Sequence, residues 1–235
     1  MKASKDLNLR MLVIAPHPDD EVLGAGGVMS SFSSNGGDLY VLTVAAHMPP
    51  LYSEEVHLKT LGEAKKAHEI LGVKESFFLN IPALSIKDQD QAEFNKKILE
   101  IIKKIKPQIL LIPYLDRHID HKLIFEAAMV ASRPVGIGKN IKILAAYETL
   151  SETHWNAPHI ETNFTPNWVV DISKYITQKM KAMSAYESQL HKFPEPRSLE
   201  ALKALALFRG SQSGFGYGEG FHIVRMTQDP SSFIP

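Results

Sequence analysis

Short apolar runs alternate with helical patterns along most of this chain, and this alternation restricts the fold more than any other feature. Residues 11–15 and 39–46 are almost wholly apolar, which is typical of strands buried on both faces of a sheet. A helical stretch, 21–34, separates these two runs and ends at the sequence NGG. We therefore predict an α/β fold with a Rossmann-like, mostly parallel sheet and helices on both faces.

The alternation continues beyond the second strand. Apolar residues at helical spacing predict helices at 53–71, 94–105 and 122–131, and further apolar runs predict strands at 76–80, 108–114, 141–148 and 167–173. Two more helical patterns follow, at 173–190 and 198–208. The glycine-rich stretch 209–220 is predicted to be a mobile surface loop, and 221–226 a closing strand at the edge of the sheet.

The composition is that of an ordinary globular protein, with 235 residues, 44% hydrophobic and 22% charged. We expect one domain over 1–235, because no linker interrupts the chain. Lysine plus arginine and aspartate plus glutamate both number 26, so nothing predicts a nucleic acid or an anionic membrane as partner. The absence of cysteine excludes disulfides and thiolate metal sites. Apolar runs are too short for a signal peptide or a membrane span, so we expect a cytoplasmic protein, with a homo-oligomer left open.

Charged and polar motifs follow several of the predicted strands. The carboxyl ends of parallel strands meet at one edge of a sheet, and ligands bind at that edge. The motifs PHPDDE, AAHMPP, PYLDRHIDH and YETL should therefore lie together, which also places His47 and Glu148 at this edge.

Two of these motifs carry residues that can bind a metal. His17 and Asp20 are three residues apart after the first strand, and a second cluster after the fourth strand offers further donors, namely Asp116, His118, Asp120 and His121. Two imidazoles and one carboxylate would suit zinc with an open position for water, as in catalytic sites, and Fe²⁺ or Co²⁺ remain alternatives. Asp19, beside a ligand, could accept a proton from that water as general base.

The acids and glycines of the first motif also fit roles that involve no metal. Asp19 and Asp20 could simply cap a helix, since carboxylates stabilise helix N-termini, but a second His/Asp cluster at another strand end favours a metal. The glycines after the motif could form a dinucleotide-binding loop. Met29, however, stands where a third glycine is needed, and the second strand does not end in an acid, so the glycines favour close packing of helix on strand.

The motifs PHPDDEVLGAGG and DRHIDH, in this order, resemble the PIG-L or LmbE-like family of zinc-dependent N-deacetylases. GEAKKAHEILGV, YESQL and GYGEGF resemble further segments of that family. The resemblance implies removal of an N-acetyl group from an acetamido-sugar such as an N-acetylglucosamine conjugate. It also implies site residues: metal ligands His17, Asp20 and His121, a general base at Asp19, an oxyanion-stabilising histidine at His118, and a carboxylate partner of that histidine at Asp120.

One position departs from the family. An arginine that binds sugar hydroxyls is replaced by Thr60, so we expect a larger conjugate to be preferred to free N-acetylglucosamine. Substrate contacts are expected from Thr60, His47, Glu148, Tyr217 and Glu219. Two alternatives stay open: a hydrolase of another amide or of a formyl group, and a non-catalytic ligand-binding protein. The presence of Asp19 favours catalysis.

Overall fold

A computed structural model describes residues 9–157 and 160–228 of the chain. Seven strands form a single sheet: β1 (Arg10–Ala15), β2 (Asp38–Ala46), β3 (Glu75–Pro82), β4 (Ile109–Pro113), β5 (Ile143–Tyr147), β6 (Trp168–Asp171) and β7 (Gly218–Met226). Six α-helices accompany them: α1 (Asp20–Ser34), α2 (Glu54–Ile70), α3 (Gln91–Ile105), α4 (Ile119–Ala131), α5 (Ile176–Ser184) and α6 (Leu199–Ser211). The predicted α/β fold is thus confirmed.

The strands lie in the order β3-β2-β1-β4-β5-β7-β6. The first five pair in parallel, whereas β7 pairs antiparallel with both β5 and β6. Alternate residues of β1 enter different cores: Met11 and Val13 pack under α1, α2, α5 and α6, and Leu12 and Ile14 pack under α3 and α4. A continuous apolar strand is what a sheet covered by helices on both faces requires.

The strand order places one crevice at the centre of the sheet. From β1 the chain moves outward to β2 and β3, and then returns to place β4 on the other side of β1. The helices that follow these neighbouring strands diverge, because α1 packs on one face of the sheet and α4 on the other. The carboxyl ends of β1 and β4 therefore flank a crevice, the usual position of a ligand site in such sheets.

The glycines of α1 serve packing, as expected. A methyl group at Gly24 would overlap the Tyr147 ring, and one at Gly27 would overlap Ile172. This close approach brings α1 down onto β5 and onto the segment after β6. The start of α1, which carries the acidic motif, is thereby held firmly against the end of the sheet.

Two predictions about the C-terminal region need correction. The surface loop predicted at 209–220 is confined to 212–217, which is largely exposed, because α6 continues to Ser211 and β7 begins at Gly218. The strand β7 does not close the sheet edge, since it lies between β5 and β6. Gly210 and Gly218 are glycines because their backbones pack against each other, and a side chain at either position would overlap neighbouring main chain.

No helix among residues 9–157 and 160–228 combines the length and the apolar character needed to cross a membrane.

Candidate active site

The turn from β1 into α1 holds Asp19 in an unusual backbone conformation. Its φ is 112° and its ψ is −28°, in the left-handed region that non-glycine residues rarely adopt. The side chain makes no capping hydrogen bond; the main-chain carbonyl instead accepts from the amides of Val22 at 3.0 Å and Leu23 at 2.9 Å. Helix capping therefore does not explain this carboxylate, and strained backbone of this kind clusters at functional sites.

Three donor atoms converge between the ends of β1 and β4. Asp20 Oδ2 lies 3.2 Å from His17 Nδ1 and 3.3 Å from His121 Nε2. A tetrahedral ion with bonds of about 2.0–2.1 Å would separate its ligand atoms by roughly this distance. We call these three atoms the donor cluster. Two atoms here, His121 Nε2 and Asp20 Oδ1, are buried without a hydrogen-bond partner among the described residues, so the residues present fit a metal.

The ring of His118 lies beside this cluster. Its centroid is 4.7 Å from that of His17 and 5.0 Å from that of His121. One nitrogen from each of the three imidazoles also falls within 4.8 Å of the others. Asp20 Oδ2 lies closer than this to one nitrogen of His17 and to one of His121, so the residues present offer two possible ligand sets, either His17, Asp20 and His121 or the three histidines.

A carboxylate orients each of the two histidines in the donor cluster. His17 Nε2 lies 3.0 Å from Asp120 Oδ2, and His121 Nδ1 lies 2.9 Å from Asp116 Oδ2. If each of these nitrogens donates its proton, His17 Nδ1 and His121 Nε2 keep free lone pairs that face the cluster. Sequence reasoning noted Asp116 as a donor but did not find this orienting contact.

The expected partnership of Asp120 with His118 needs correction. The Asp120 carboxylate bonds to His17 and accepts from the amide of Leu84 at 2.9 Å. Only the main-chain amide of Asp120 reaches His118, donating to Nδ1 at 3.2 Å. Asp120 and His118 are neighbours, as the sequence implies, but the side chain of Asp120 bonds to His17 and not to His118.

The carboxylate of Asp19 is buried beside the donor cluster with neither oxygen hydrogen-bonded among the described residues. Burial is the main cause that raises the pKa of Asp19 to about 7, against the opposing charge of Arg197. The Nε atom of Arg197 lies 3.3 Å from Asp19 Oδ2. Sequence reasoning missed Arg197, because it lies in the segment between α5 and α6, where no motif connects it with the acids.

The histidines around the cluster differ in charge. Burial, reinforced by the neighbouring histidines, lowers the pKa of His118 to about 4, and burial lowers that of His47 to about 4 as well. For His121, burial would lower the pKa, but Asp20 and Asp116 outweigh it and raise the pKa to about 10, so an ion that binds at Nε2 would displace a proton from this histidine. His118 is therefore neutral at pH 7, and with Nδ1 accepting a bond its Nε2 carries the proton.

A cleft of about 200 Å³ opens beside these residues. It is lined by His17, His47, Leu51, Tyr52, Ala83, Leu84, His118, Glu152 and Arg197. The lining combines histidines, one acid and one arginine with exposed apolar side chains at the mouth. A larger groove of about 350 Å³ between α3 and α4 has no comparable set of donors, so chemistry rather than size identifies the site.

Of the residues expected to bind substrate, only His47 lines this cleft in the described part of the chain. The hydroxyl of Thr60 donates to carbonyls of its own helix. Glu219 accepts bonds from two amides of α1, and Glu148 pairs with Arg209. For Thr60, Glu148, Tyr217 and Glu219, substrate binding stays a prediction without support from these contacts.

Comparison with known sequences agrees with this geometry. The family model for PIG-L, described as GlcNAc-PI de-N-acetylase, matches residues 12–132, the span that contains the whole donor cluster. The chain belongs to the PIG-L family.

Two PIG-L relatives are deacetylases by name. The diacetylchitobiose deacetylase of Thermococcus kodakarensis is 32% identical over 234 residues, covering 92% of this chain and 83% of the relative. A probable N-acetyl-alpha-D-glucosaminyl L-malate deacetylase of Bacillus anthracis is 23% identical, covering 76% of this chain and 80% of the relative.

Solved structures show how widely the fold is used. A conserved protein of Thermus thermophilus matches with a TM-score of 0.74 at 27% identity, covering 94% of this chain and 98% of its own. The 4-carboxy-2-hydroxymuconate hydratase GalB of Pseudomonas putida also gives 0.74, at 19% identity, covering 94% and 99%. Since a hydratase shares the fold, the side chains of the site must carry the argument about function.

Proposed function

We propose that this PIG-L protein is a zinc-dependent N-deacetylase that acts on an acetamido-sugar or a conjugate of one. The observation that carries the proposal is the donor cluster with a buried carboxylate, Asp19, next to it, whose oxygens accept no hydrogen bond among the described residues and have one ionic contact, with Arg197. The deacetylase relatives support the same reaction class. His17, Asp20 and His121 would hold the ion.

When bound, the ion would act as a Lewis acid that polarises the acetyl carbonyl and lowers the pKa of water. Asp19 accepts the proton that water loses as it adds to the carbonyl carbon. Asp19 directly precedes Asp20 in the chain, and no hydrogen bond from a described residue competes for the oxygens of its carboxylate. When the C–N bond breaks, the same proton passes to the departing amine, so that acetate and the free amino-sugar result.

His118 stabilises the negative charge that develops on the acetyl oxygen. Its Nδ1 accepts a bond from the amide of Asp120, which leaves Nε2–H as a donor. His118 lines the cleft, and a neutral imidazole can donate without first gaining a proton. Asp120 and Asp116 act through other residues, since each fixes the orientation of one histidine in the donor cluster.

Zinc is the favoured ion because two imidazoles and a carboxylate suit it, although the same ligands also suit Fe²⁺ and Co²⁺. The metal should therefore be identified by elemental analysis of the purified protein. Metal-free protein should then be reloaded separately with each ion and its turnover compared.

Acetate release is the direct test of the function. The metal-loaded protein would be incubated with N-acetylglucosamine, diacetylchitobiose and larger acetamido conjugates, with Asp19→Asn as the matched inactive control. Acetate should appear with the parent protein only. Release of formate or of another acid in place of acetate would favour a different amide substrate, and tight sugar binding without hydrolysis would favour a non-catalytic binding protein.

A further inference from the structure

Arg197 is a largely buried cation whose guanidinium donates no hydrogen bond to any described residue. Its side chain is 26% exposed, and its Nε is buried without a hydrogen-bond partner in the described part of the chain. Its one close polar contact there is ionic, at 3.3 Å from Asp19 Oδ2. The guanidinium lines the cleft and carries five N–H donors in a fixed planar arrangement.

A structural arginine in the same protein looks different. Arg209 donates from Nε and Nη2 to the two oxygens of Glu148, at 2.8 and 2.7 Å, and from Nη1 to Gln212 at 3.1 Å. Leaving such a group unsatisfied is costly, and a fold that needed Arg197 only for stability would satisfy its donors in the same way. The unused donors at the cleft therefore point to a ligand.

Glu152 provides an acceptor in the same cleft. Its side chain is 12% exposed, and one oxygen, Oε2, accepts a bond from Arg117 Nη1 at 2.8 Å. That bond anchors the carboxylate from outside the cleft. The cleft thus presents a planar donor, Arg197, and an anchored acceptor, Glu152, next to His118.

Local charge decides between the ligands that a guanidinium can bind. Arginine binds phosphates, carboxylates and neighbouring pairs of hydroxyls. An anionic ligand at Arg197 would also face the carboxylate of Asp19, 3.3 Å from Arg197 Nε, and that of Glu152 in the same cleft. A neutral diol avoids that repulsion, and it can donate to Glu152 while it accepts from Arg197.

We propose that Arg197 and Glu152 form a specificity subsite for neighbouring hydroxyl groups of an uncharged sugar ring, and that this subsite places the acetamido group beside Asp19. Two N–H groups of Arg197 donate to the oxygens of two neighbouring hydroxyl groups, and Glu152 accepts a hydrogen bond from one of these hydroxyls. The inference rests on the proposed deacetylase function, because it concerns how the same site selects its substrate.

The test compares a glycoside of N-acetylglucosamine with its 3-deoxy and 4-deoxy analogues, through the ratio of their kcat/KM values. All three compounds carry the same acetamide, so any effect of Arg197 on Asp19 cancels in this ratio. The parent protein should prefer the intact sugar about 10- to 100-fold, as expected for hydrogen bonds to a charged group. Arg197→Met should reduce this preference to less than about 3-fold, and Glu152→Gln should weaken it for one deoxy analogue.

One further variant separates geometry from charge, and another serves as a control. Arg197→Lys keeps the cation but loses the planar pair of donors, so an intermediate preference is expected. Arg133→Met is the matched control, because Arg133 is exposed and lies outside the cleft. This variant should prefer the intact sugar over the deoxy analogues by the same factor as the parent protein.

Several outcomes would overturn the subsite. An unchanged preference in Arg197→Met, even with lower turnover on all compounds, would mean that Arg197 acts only through Asp19. A selective loss of activity on a phosphate-bearing acetamido-sugar would mean that the site binds anions. If the parent released no acetate from any compound, the deacetylase proposal would fail. Calorimetric binding of the same three compounds would then decide the subsite, because equal affinities in parent and Arg197→Met would contradict it.

Discussion

Buried carboxylates lie at two places along helix α1, and their oxygens are satisfied to very different extents. At the start of α1, Asp19 and Asp20 are fully buried, yet three of their four carboxylate oxygens have no hydrogen-bond partner among the described residues. Farther along α1, Glu219 reaches in from β7. Its Oε1 accepts from the amide of Gly27 and from Lys179 Nζ, and its Oε2 accepts from the amide of Val28.

The difference in hydrogen bonding suggests different roles for these acids, with Asp19 serving function and Glu219 serving the stability of the fold. Burying a charged group is tolerated only when hydrogen bonds or an opposite charge compensate it. Glu219 is compensated by Lys179 and by main-chain amides, so it fastens β7 to α1. Asp19 has one ionic contact, with Arg197, and no hydrogen bond from a described residue, so under our proposal its oxygens stay available to water. The unsatisfied carboxylate oxygens of Asp19 and Asp20 thus distinguish the candidate site from the satisfied pair of Glu219 and Lys179.

Four variants test the functional side of this comparison, and one tests the architectural side. They are ordered by the expected effect on turnover.

His121→Ala should have the largest effect on turnover, since it removes one of the three proposed ligands and leaves the ion weakly held. Metal content by elemental analysis and acetate release should both fall to background, as should the activity of chelator-treated parent protein. His154→Ala, which changes a half-exposed histidine bonded to Glu148, is the control. Full metal occupancy in His121→Ala would remove this residue from the ligand set.

Asp19→Asn should lower turnover by about 100- to 10,000-fold, the usual contribution of a general base. The amide has nearly the same shape but cannot accept the proton of water. Metal content should stay at the parent level, because the three ligands are intact. The two measurements together distinguish a lost base from a lost metal, and near-normal acetate release would exclude Asp19 from proton transfer.

His118→Ala should lower turnover by about 100-fold or more, as expected for one oxyanion donor, with little change in metal content. The prediction also tests the alternative ligand set of three histidines, which lie close enough to hold an ion. Loss of the metal from His118→Ala would favour that set over the one containing Asp20. Kinetics and elemental analysis on the same preparation provide the answer.

The position of the site could be predicted from the sequence because it depends on the order of the elements. Two motifs that each follow a buried strand must meet when those strands are parallel neighbours, and β1 and β4 are. The roles of Asp116 and Arg197 could not be predicted in this way. The first depends on the direction in which a side chain leaves a turn, and the second on the path of an irregular segment between two helices.

The glycine-rich region shows what local sequence preferences alone fail to predict. A run such as GFGYGEG is typical of mobile loops when only local preferences are considered. Here the glycines at 210 and 218 are needed because the backbones of α6 and β7 touch. Tertiary contact, which a single sequence does not reveal, shortens the apparent loop to 212–217 and places its two ends in a helix and in an interior strand of the sheet.

Tyr52→Ala should have a modest effect that depends on the substrate. Tyr52 is 39% exposed at the mouth of the cleft, and its ring centroid lies 4.8 Å from that of His47. An aromatic contact of this kind contributes enough to change kcat/KM by about 3- to 10-fold. The loss should appear with conjugates that carry an apolar or aromatic substituent, and not with free N-acetylglucosamine. Phe208→Ala, at an exposed aromatic residue outside the cleft, is the control, and equal losses on both substrates would contradict an outer contact at Tyr52.

Glu219→Gln should leave turnover unchanged while it destabilises the fold, in contrast to the substitutions at Asp19 and His121. The substitution keeps the shape of the side chain but leaves the ammonium of Lys179 buried, at 2.6 Å from the former carboxylate, without its counter-charge. Breaking a buried pair from one side typically costs about 3–5 kcal/mol in the free energy of unfolding. Urea denaturation should measure this loss, with Glu93→Gln as an exposed control that changes stability little. Acetate release, measured where the variant is still folded, separates the two roles of a buried acid. If turnover falls there while stability does not, Glu219 belongs to the site, as its motif predicted, and satisfied hydrogen bonds do not distinguish architecture from function in this protein.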